Sequence, residues 1–129
     1  MNKYLSDTTV VVDFLRGNEN AIKFLKQFPE ISIVSVAEVI QGAHDARELG
    51  IIARACDMLH QEKLDNAISI SAVNLLKKYN LSHGLLFFDA LIAATCISRK
   101  KILVSENVKD FRFITGLQII SQKEAFAAS

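Results

Sequence analysis

The sequence predicts a three-layer α/β/α domain built on a central parallel sheet of about four to five strands. Three observations predict it. Short β-branched stretches alternate with longer stretches whose apolar residues recur every three to four positions, the rhythm of strands joined by crossover helices. The chain has 129 residues, 50% of them hydrophobic, enough for one core. No repeat, low-complexity stretch or Gly/Pro/Ser-rich linker interrupts it, and its single proline, Pro29, falls at a break between a helix and a strand. One domain spanning residues 1–129 is expected.

The elements follow in order. Tyr4 to Ser6 is a short apolar strand, and Thr8 and Thr9 lead into a short helix over Val10 to Leu15 that stops at Gly17. Asn18 caps a second helix, Glu19 to Phe28, in which Ala21, Ile22, Leu25 and Phe28 keep helical spacing. Ile31 to Val34 is β-branched and reads as the second strand. Ser35, with Glu38 three residues later, writes a capping box for a helix running to about Ala43. Leu49, Ile52, Ala53, Cys56 and Leu59 place a helix within Asp45 to Leu59. The alternation Ala67 to Ile70 reads as a strand, followed by a helix from Ala72 to Tyr79 and a loop from Asn80 to Leu86. Asp89 to Ser98 combines strong helix formers with an apolar face of Leu91, Ile92, Thr95 and Cys96. A strand at Ile102 to Val104, a helical turn at Asn107 to Phe111 and a last strand at Leu117 to Ile120 complete the alternation. Right-handed crossovers then put helices on both faces of a parallel sheet.

Composition narrows the function classes. No apolar run approaches the roughly 18 residues that cross a bilayer, and Lys3 and Asp7 leave no room for the apolar core of a signal peptide. A cytoplasmic protein with no membrane partner is expected. Cys56 and Cys96 stand far apart without C-x-x-C or Cys/His ligand spacing, so they read as reduced, buried thiols. The formal net charge of +1 gives no broad basic surface. Contact with RNA would therefore fall to local clusters: Arg16, Lys23 and Lys26; Lys77 and Lys78; and the run Arg99, Lys100, Lys101. Each reads first as a solvated face. His44, His60 and His83 share no ligand spacing and read as surface or hydrogen-bonded residues. Phe87 and Phe88 read first as core, and as base-stacking rings only second.

The chemistry lies in the carboxylates. Ligands of open parallel sheets bind beyond the carboxyl ends of the strands. Three acids fall there: Asp7 after the first strand, Glu38 in the first turn of the helix after the second, and Asp89 opening a long helix. A fourth, Asp110, follows the strand Ile102 to Val104, with Asn107 one turn before it. Carboxylates without an intervening Cys or His are hard oxygen donors and suit Mg²⁺ or Mn²⁺. Such an ion polarises a phosphodiester and lowers the pKa of an attacking water. Position alone does not decide between this and a structural role, because the helix dipole favours acids in any first turn and Glu38 fits its capping box without a metal.

Four segments go further: YLSDTTVVVDFLRG (Tyr4–Gly17), SVAEVIQGA (Ser35–Ala43), FDALIAAT (Phe88–Thr95) and LVSENVKDF (Leu103–Phe111). In this order and at these intervals they resemble the four blocks of PIN-domain ribonucleases, and in particular of VapC-like toxins. The resemblance covers nearly the whole chain and implies a PIN-like fold. It also implies an Mg²⁺-dependent (or Mn²⁺-dependent) endoribonuclease acting on single-stranded or loop RNA, often transfer or ribosomal RNA. Matched residue by residue, it makes Asp7 and Asp89 metal ligands, Glu38 a ligand or an orienter of water, and Asp110 or Asn107 the fourth catalytic position. It further implies a small homodimeric toxin, held inactive by a VapB-like antitoxin whose peptide covers the acidic groove, with DNA reached only through that antitoxin.

The departures sit beside the acids. Asp-Thr-Thr stands where Asp-Thr-Asn or Asp-Thr-Ser is usual, leaving Thr9 a hydroxyl in a supporting role. Ser105, Glu106 and Asn107 replace the usual Thr-Arg-Asn or Thr-Asn-Asp, so Ser105 and Asn107 are possible supporting residues and the fourth position stays open. Asp13 reads as structural or solvent-facing. Two rivals remain. A catalytically silent PIN fold serving as a binding protein draws on the altered neighbours Thr9 and Ser105. A phosphoacceptor signalling domain would need adjacent acids after the first strand and an Asp ending a middle strand, whereas Asp7 stands alone and none ends Ala67 to Ile70.

Overall fold

Five parallel strands, β1 (Tyr4–Ser6), β2 (Glu30–Ser32), β3 (His60–Glu62), β4 (Ile102–Ser105) and β5 (Gln118–Ser121), form one sheet in the order β3-β2-β1-β4-β5. The computed structural model describes residues 3–129. Its helices are α1 (Thr8–Leu15), α2 (Glu19–Gln27), α3 (Ile33–Gln41), α4 (Ala46–Asp57), α5 (Asn66–His83), α6 (Phe87–Arg99) and α7 (Gln122–Ala128), with a 3₁₀ turn at Val108–Asp110. The chain runs outward from β1 through β2 to β3, then crosses back to lay β4 on the other flank of β1. Leu5 opposes Leu103 and Ser6 opposes Val104. The strand order therefore reverses between β1 and β4, and that is where an open parallel sheet places its ligand.

Alternation along the strands divides the core in two. Leu5 and Leu103 face α5 and α6 together with Ile68, Ala72, Ile92 and Phe111. Tyr4, Ile31 and Val104 face the other side, with Val10, Val11, Phe24 and Leu25 of α1 and α2. A sheet covered on both faces is the predicted three-layer arrangement. In α6 every residue from Ala90 to Cys96 is buried, because the helix lies between the sheet and α5. Its N-terminal residues are different: Phe87 and Phe88, expected as core, are 46% and 41% exposed.

Several boundaries differ from expectation. The alternation Ala67 to Ile70 is the first turn of α5, not a strand: Asp65 caps it by accepting from Ile68 N at 2.8 Å, and the buried series is Ile68, Ala72 and Tyr79. The third strand is His60–Glu62, three polar residues at the sheet edge. Most of the expected loop from Asn80 is helix, since α5 continues to His83 and stops where Gly84 takes φ 72°. Strand β2 ends at Ser32, whose hydroxyl caps α3 by accepting from Val34 N at 3.0 Å. The capping box expected at Ser35 and Glu38 is therefore absent, and Glu38 lies in the second turn. A capping contact does form at Ser121, which receives Glu124 N at 3.1 Å and starts the unexpected α7.

Candidate active site

Asp7 leaves the central strand at the N-cap position of α1, yet its carboxylate caps nothing there. It is buried and instead accepts the Ser105 hydroxyl at 2.7 Å, from the end of the neighbouring strand β4. Ser105 in turn accepts the backbone N–H of Asn107 at 3.0 Å. Thr9 accepts Glu106 N at 3.1 Å, which ties α1 to the same turn. The altered neighbours Thr9 and Ser105 thus keep working hydroxyls around Asp7.

Glu38 reaches the same region from α3. Thr8 lies 2.7 Å from Glu38 Oε1 and 2.9 Å from Ser35 Oγ. One hydroxyl carries one proton and an ionised carboxylate can only accept, so Thr8 donates to Glu38 and receives the Ser35 hydroxyl. Buried Ser35 therefore anchors Thr8, and Thr8 fixes Glu38. Neither residue's contact was apparent in the sequence, although the polar Thr8 beside Asp7 was a usable signal. Asp89 stands in the first turn of α6, and Asp110 closes the 3₁₀ turn after β4.

These acids line two cavities that have Asp89 in common. Asp7, Glu38, Asp89 and Asn107 line one of about 290 Å³, and Arg16 lines it with them. Asp89 and Asp110 line a second of about 300 Å³. Both candidates for the fourth position thus reach the group, Asn107 in the first cavity and Asp110 in the second. Among the described residues none of the four carboxylates is in an ion pair. The electrostatic consequence is direct. Burial raises the pKa of Asp7 against the opposing Ser105 hydrogen bond, with Glu38 and Asp110 adding to the rise. Asp89 is pushed up to about 6, first by burial and then by repulsion from Asp7, Glu38 and Asp110. Hard oxygen donors with excess negative charge and no ion pair to a protein cation fit a divalent ion of the Mg²⁺ type.

The tightest group of possible ligands lies elsewhere. Glu30, His60 and Glu62 offer atoms within 4.8 Å of one another on β2 and β3. Protein cations already serve it: Lys101 sits 3.0 Å from Glu30 Oε2, and Arg99 Nε 2.9 Å from Glu62 Oε1. Arg99 and Lys101 are thus structural members of the basic run. Cys56 and Cys96 are free and buried, as expected.

Residues 4–115 match the PIN domain. The chain belongs to the PIN-domain family. Comparison with curated proteins finds no match. Among solved structures, a toxin–antitoxin complex from Klebsiella pneumoniae is similar at 25% identity, over 92% of this chain and 97% of that one, with a TM-score of 0.73. DNA-bound VapBC from Salmonella typhimurium matches at 21% identity, over 95% and 99%, with a TM-score of 0.80. VapBC-1 from nontypeable Haemophilus influenzae matches at 22% identity, over 93% and 98%, with a TM-score of 0.72. The PIN assignment removes the phosphoacceptor reading. No described helix of this PIN domain is long and apolar enough to cross a membrane.

Proposed function

We propose that this PIN domain, taken as one unit over residues 1–129, is an Mg²⁺-dependent endoribonuclease, with Mn²⁺ able to substitute. In this reading it is the toxin of a type II toxin–antitoxin system in the cytoplasm and cuts transfer or ribosomal RNA. The carrying observation is the set of unpaired carboxylates from β1, α3, α6 and the 3₁₀ turn at the carboxyl ends of the strands. When bound, the ion supplies charge neutralisation at the phosphodiester and a more acidic attacking water. Asp7 and Asp89 would hold it. Glu38, fixed by Thr8, acts as a further ligand or orients the water. Asp110 and Asn107 contribute from the rim, and Ser105 holds the Asp7 carboxylate in place.

The named systems among the similar structures support a VapB-like antitoxin as partner. So does a groove of about 610 Å³ that starts at Thr8, Arg16 and Glu38 and continues over Val12, Leu15, Ile51 and Ile52. An extended or helical peptide fits such a surface, polar at one end and apolar along its length. DNA would be reached only through that partner. The exposed Phe87 and Phe88 offer surface for a homodimer.

The test is to map RNA cleavage ends after a short pulse of expression, comparing the intact protein with Asp7→Ala. New ends with the intact protein alone are expected. Identical end maps from the two proteins would overturn the reading and favour a catalytically silent binding protein.

A further inference from the structure

The cavity that holds Asp89 and Asp110 extends away from them, toward the end of α5, past Lys109, His83 and Phe113. There the His83 and Phe113 rings lie parallel, with centroids 4.2 Å apart and planes 9° from each other. Phe113 is half-buried and His83 exposed. Neighbouring residues brace the pair. Tyr79 packs on both rings at 5.9 and 5.3 Å, and its hydroxyl donates to Thr115 Oγ1 while accepting Thr115 N. On the other side, Gly84 and Leu85 close α5 with N–H bonds to Asn80 and Tyr79 carbonyls, and Asn80 Nδ2 donates to Leu85 O at 2.9 Å. Lys109 is in no ion pair among the described residues.

A stacked aromatic pair, a cation in no ion pair and two acids of the proposed catalytic group, Asp89 and Asp110, line one cavity and together suit one ligand class. We propose that His83 and Phe113 form a stacking subsite for a base of single-stranded RNA next to the scissile phosphate, with Lys109 holding the adjoining phosphate. The inference rests on the ribonuclease reading and adds the substrate's placement to it. Every base has a π face, so a stacking platform binds bases with little regard to sequence. Lys109 contributes a point charge, felt as salt-dependent affinity.

The test uses cleavage-silent Asp7→Asn protein and a six-nucleotide single-stranded RNA carrying 2-aminopurine at each position in turn. Stacking should quench one position, and adding His83→Ala should relieve that quenching and weaken binding about five- to tenfold. His83→Tyr should restore both, and Lys109→Ala should lower affinity and flatten its salt dependence while leaving quenching in place. If Asp7→Asn binds the RNA but His83→Ala changes neither quenching nor affinity, the subsite is wrong and the ribonuclease reading stands. In that case the rings belong to a protein-facing surface. If Asp7→Asn protein binds no RNA at all, the ribonuclease reading fails and takes the subsite with it.

Discussion

Two acidic clusters in this small fold meet opposite fates. At the β2–β3 flank, Glu30 and Glu62 are each matched by a cation, Lys101 and Arg99, and His60 adds a hydrogen bond at 2.8 Å. At the β1–β4 switch point, Asp7 and Glu38 have hydroxyl partners, Asp89 is repelled by the other three acids, and among the described residues none of Asp7, Glu38, Asp89 and Asp110 is in an ion pair. The pKa directions record the difference. For Glu62, burial alone would raise the value, but hydrogen bonds from Arg99 and His60 outweigh it and the net shift is downward. For Asp89, burial and three neighbouring carboxylates act together and the shift is upward. Ligand-atom proximity alone would have selected the first cluster; charge balance selects the second. A compact group of ligating side chains signals a metal only when the fold has left its charge unanswered.

The largest expected effect comes from breaking the unanswered cluster. Asp7→Asn or Asp89→Asn should cut RNA cleavage by more than the roughly 10- to 100-fold that loss of a metal ligand's hydrogen-bond partner costs. Excess chelator should do the same to the intact protein while circular dichroism stays native, as expected for an ion bound at the end of an apolar core rather than one that nucleates folding. Both variants should melt at the same temperature as the metal-free parent or higher, since each removes repulsion. A clear drop in melting temperature would instead assign the acids a structural role.

Smaller, and aimed at the hydroxyls, is Ser105→Ala. It should reduce cleavage about 10- to 100-fold by freeing the Asp7 carboxylate, whereas Ser105→Thr should restore most of the rate. Equal rates for the two variants would remove Ser105 from the site. At the paired cluster the effect should be on stability. Glu62→Gln should cost about 1–3 kcal/mol in denaturant unfolding by weakening the charged bonds to Arg99 and His60, with cleavage unchanged.

The smallest effect is a pair of opposed pH signatures in the metal-free protein. The Asp89 pKa is raised from 3.8 to about 6 in the fold, so the folded state holds its proton longer than the unfolded chain. Stability from this group is full below about pH 4 and is lost as pH rises toward 6. Glu62 is lowered from 4.5, so its contribution is full above that pH and is lost as pH falls through the lowered folded value. Melting curves across this range should show Asp89→Asn removing the loss on the alkaline side and Glu62→Gln the loss on the acid side. The same curve shape for both variants would contradict the opposed shifts.

The layered fold was legible in the sequence because apolar periodicity survives wherever an element is buried. It was illegible where burial is partial. Strand β3 is three polar residues at the sheet edge, so no hydrophobic pattern marks it. The Ala67 to Ile70 alternation mimicked a strand because a four-residue window cannot separate it from the first turn of a helix, and only Asp65 before it and the series Ile68, Ala72, Tyr79 decide. The Ser-x-x-Glu pattern occurs at Ser35 and at Ser121 and caps only at the second, since Ser32 takes the earlier cap and releases Ser35 and Glu38 to meet Thr8. The acids themselves stood out through their places after strands and through the blocks that surround them. Their hydroxyl partners did not, because contacts such as Thr8 to Glu38 and Ser105 to Asp7 join residues 30 and 98 positions apart. The stacked rings of His83 and Phe113 were hidden for the same reason.

The contrast between the two clusters is tested most directly by Mn²⁺ binding to the metal-free protein, followed by electron paramagnetic resonance or calorimetry. Binding should be saturable in the parent, strongly weakened in Asp89→Asn and unchanged in Glu62→Gln. Undiminished binding in Asp89→Asn, or its loss in Glu62→Gln, would place the ion at the wrong cluster and contradict the account.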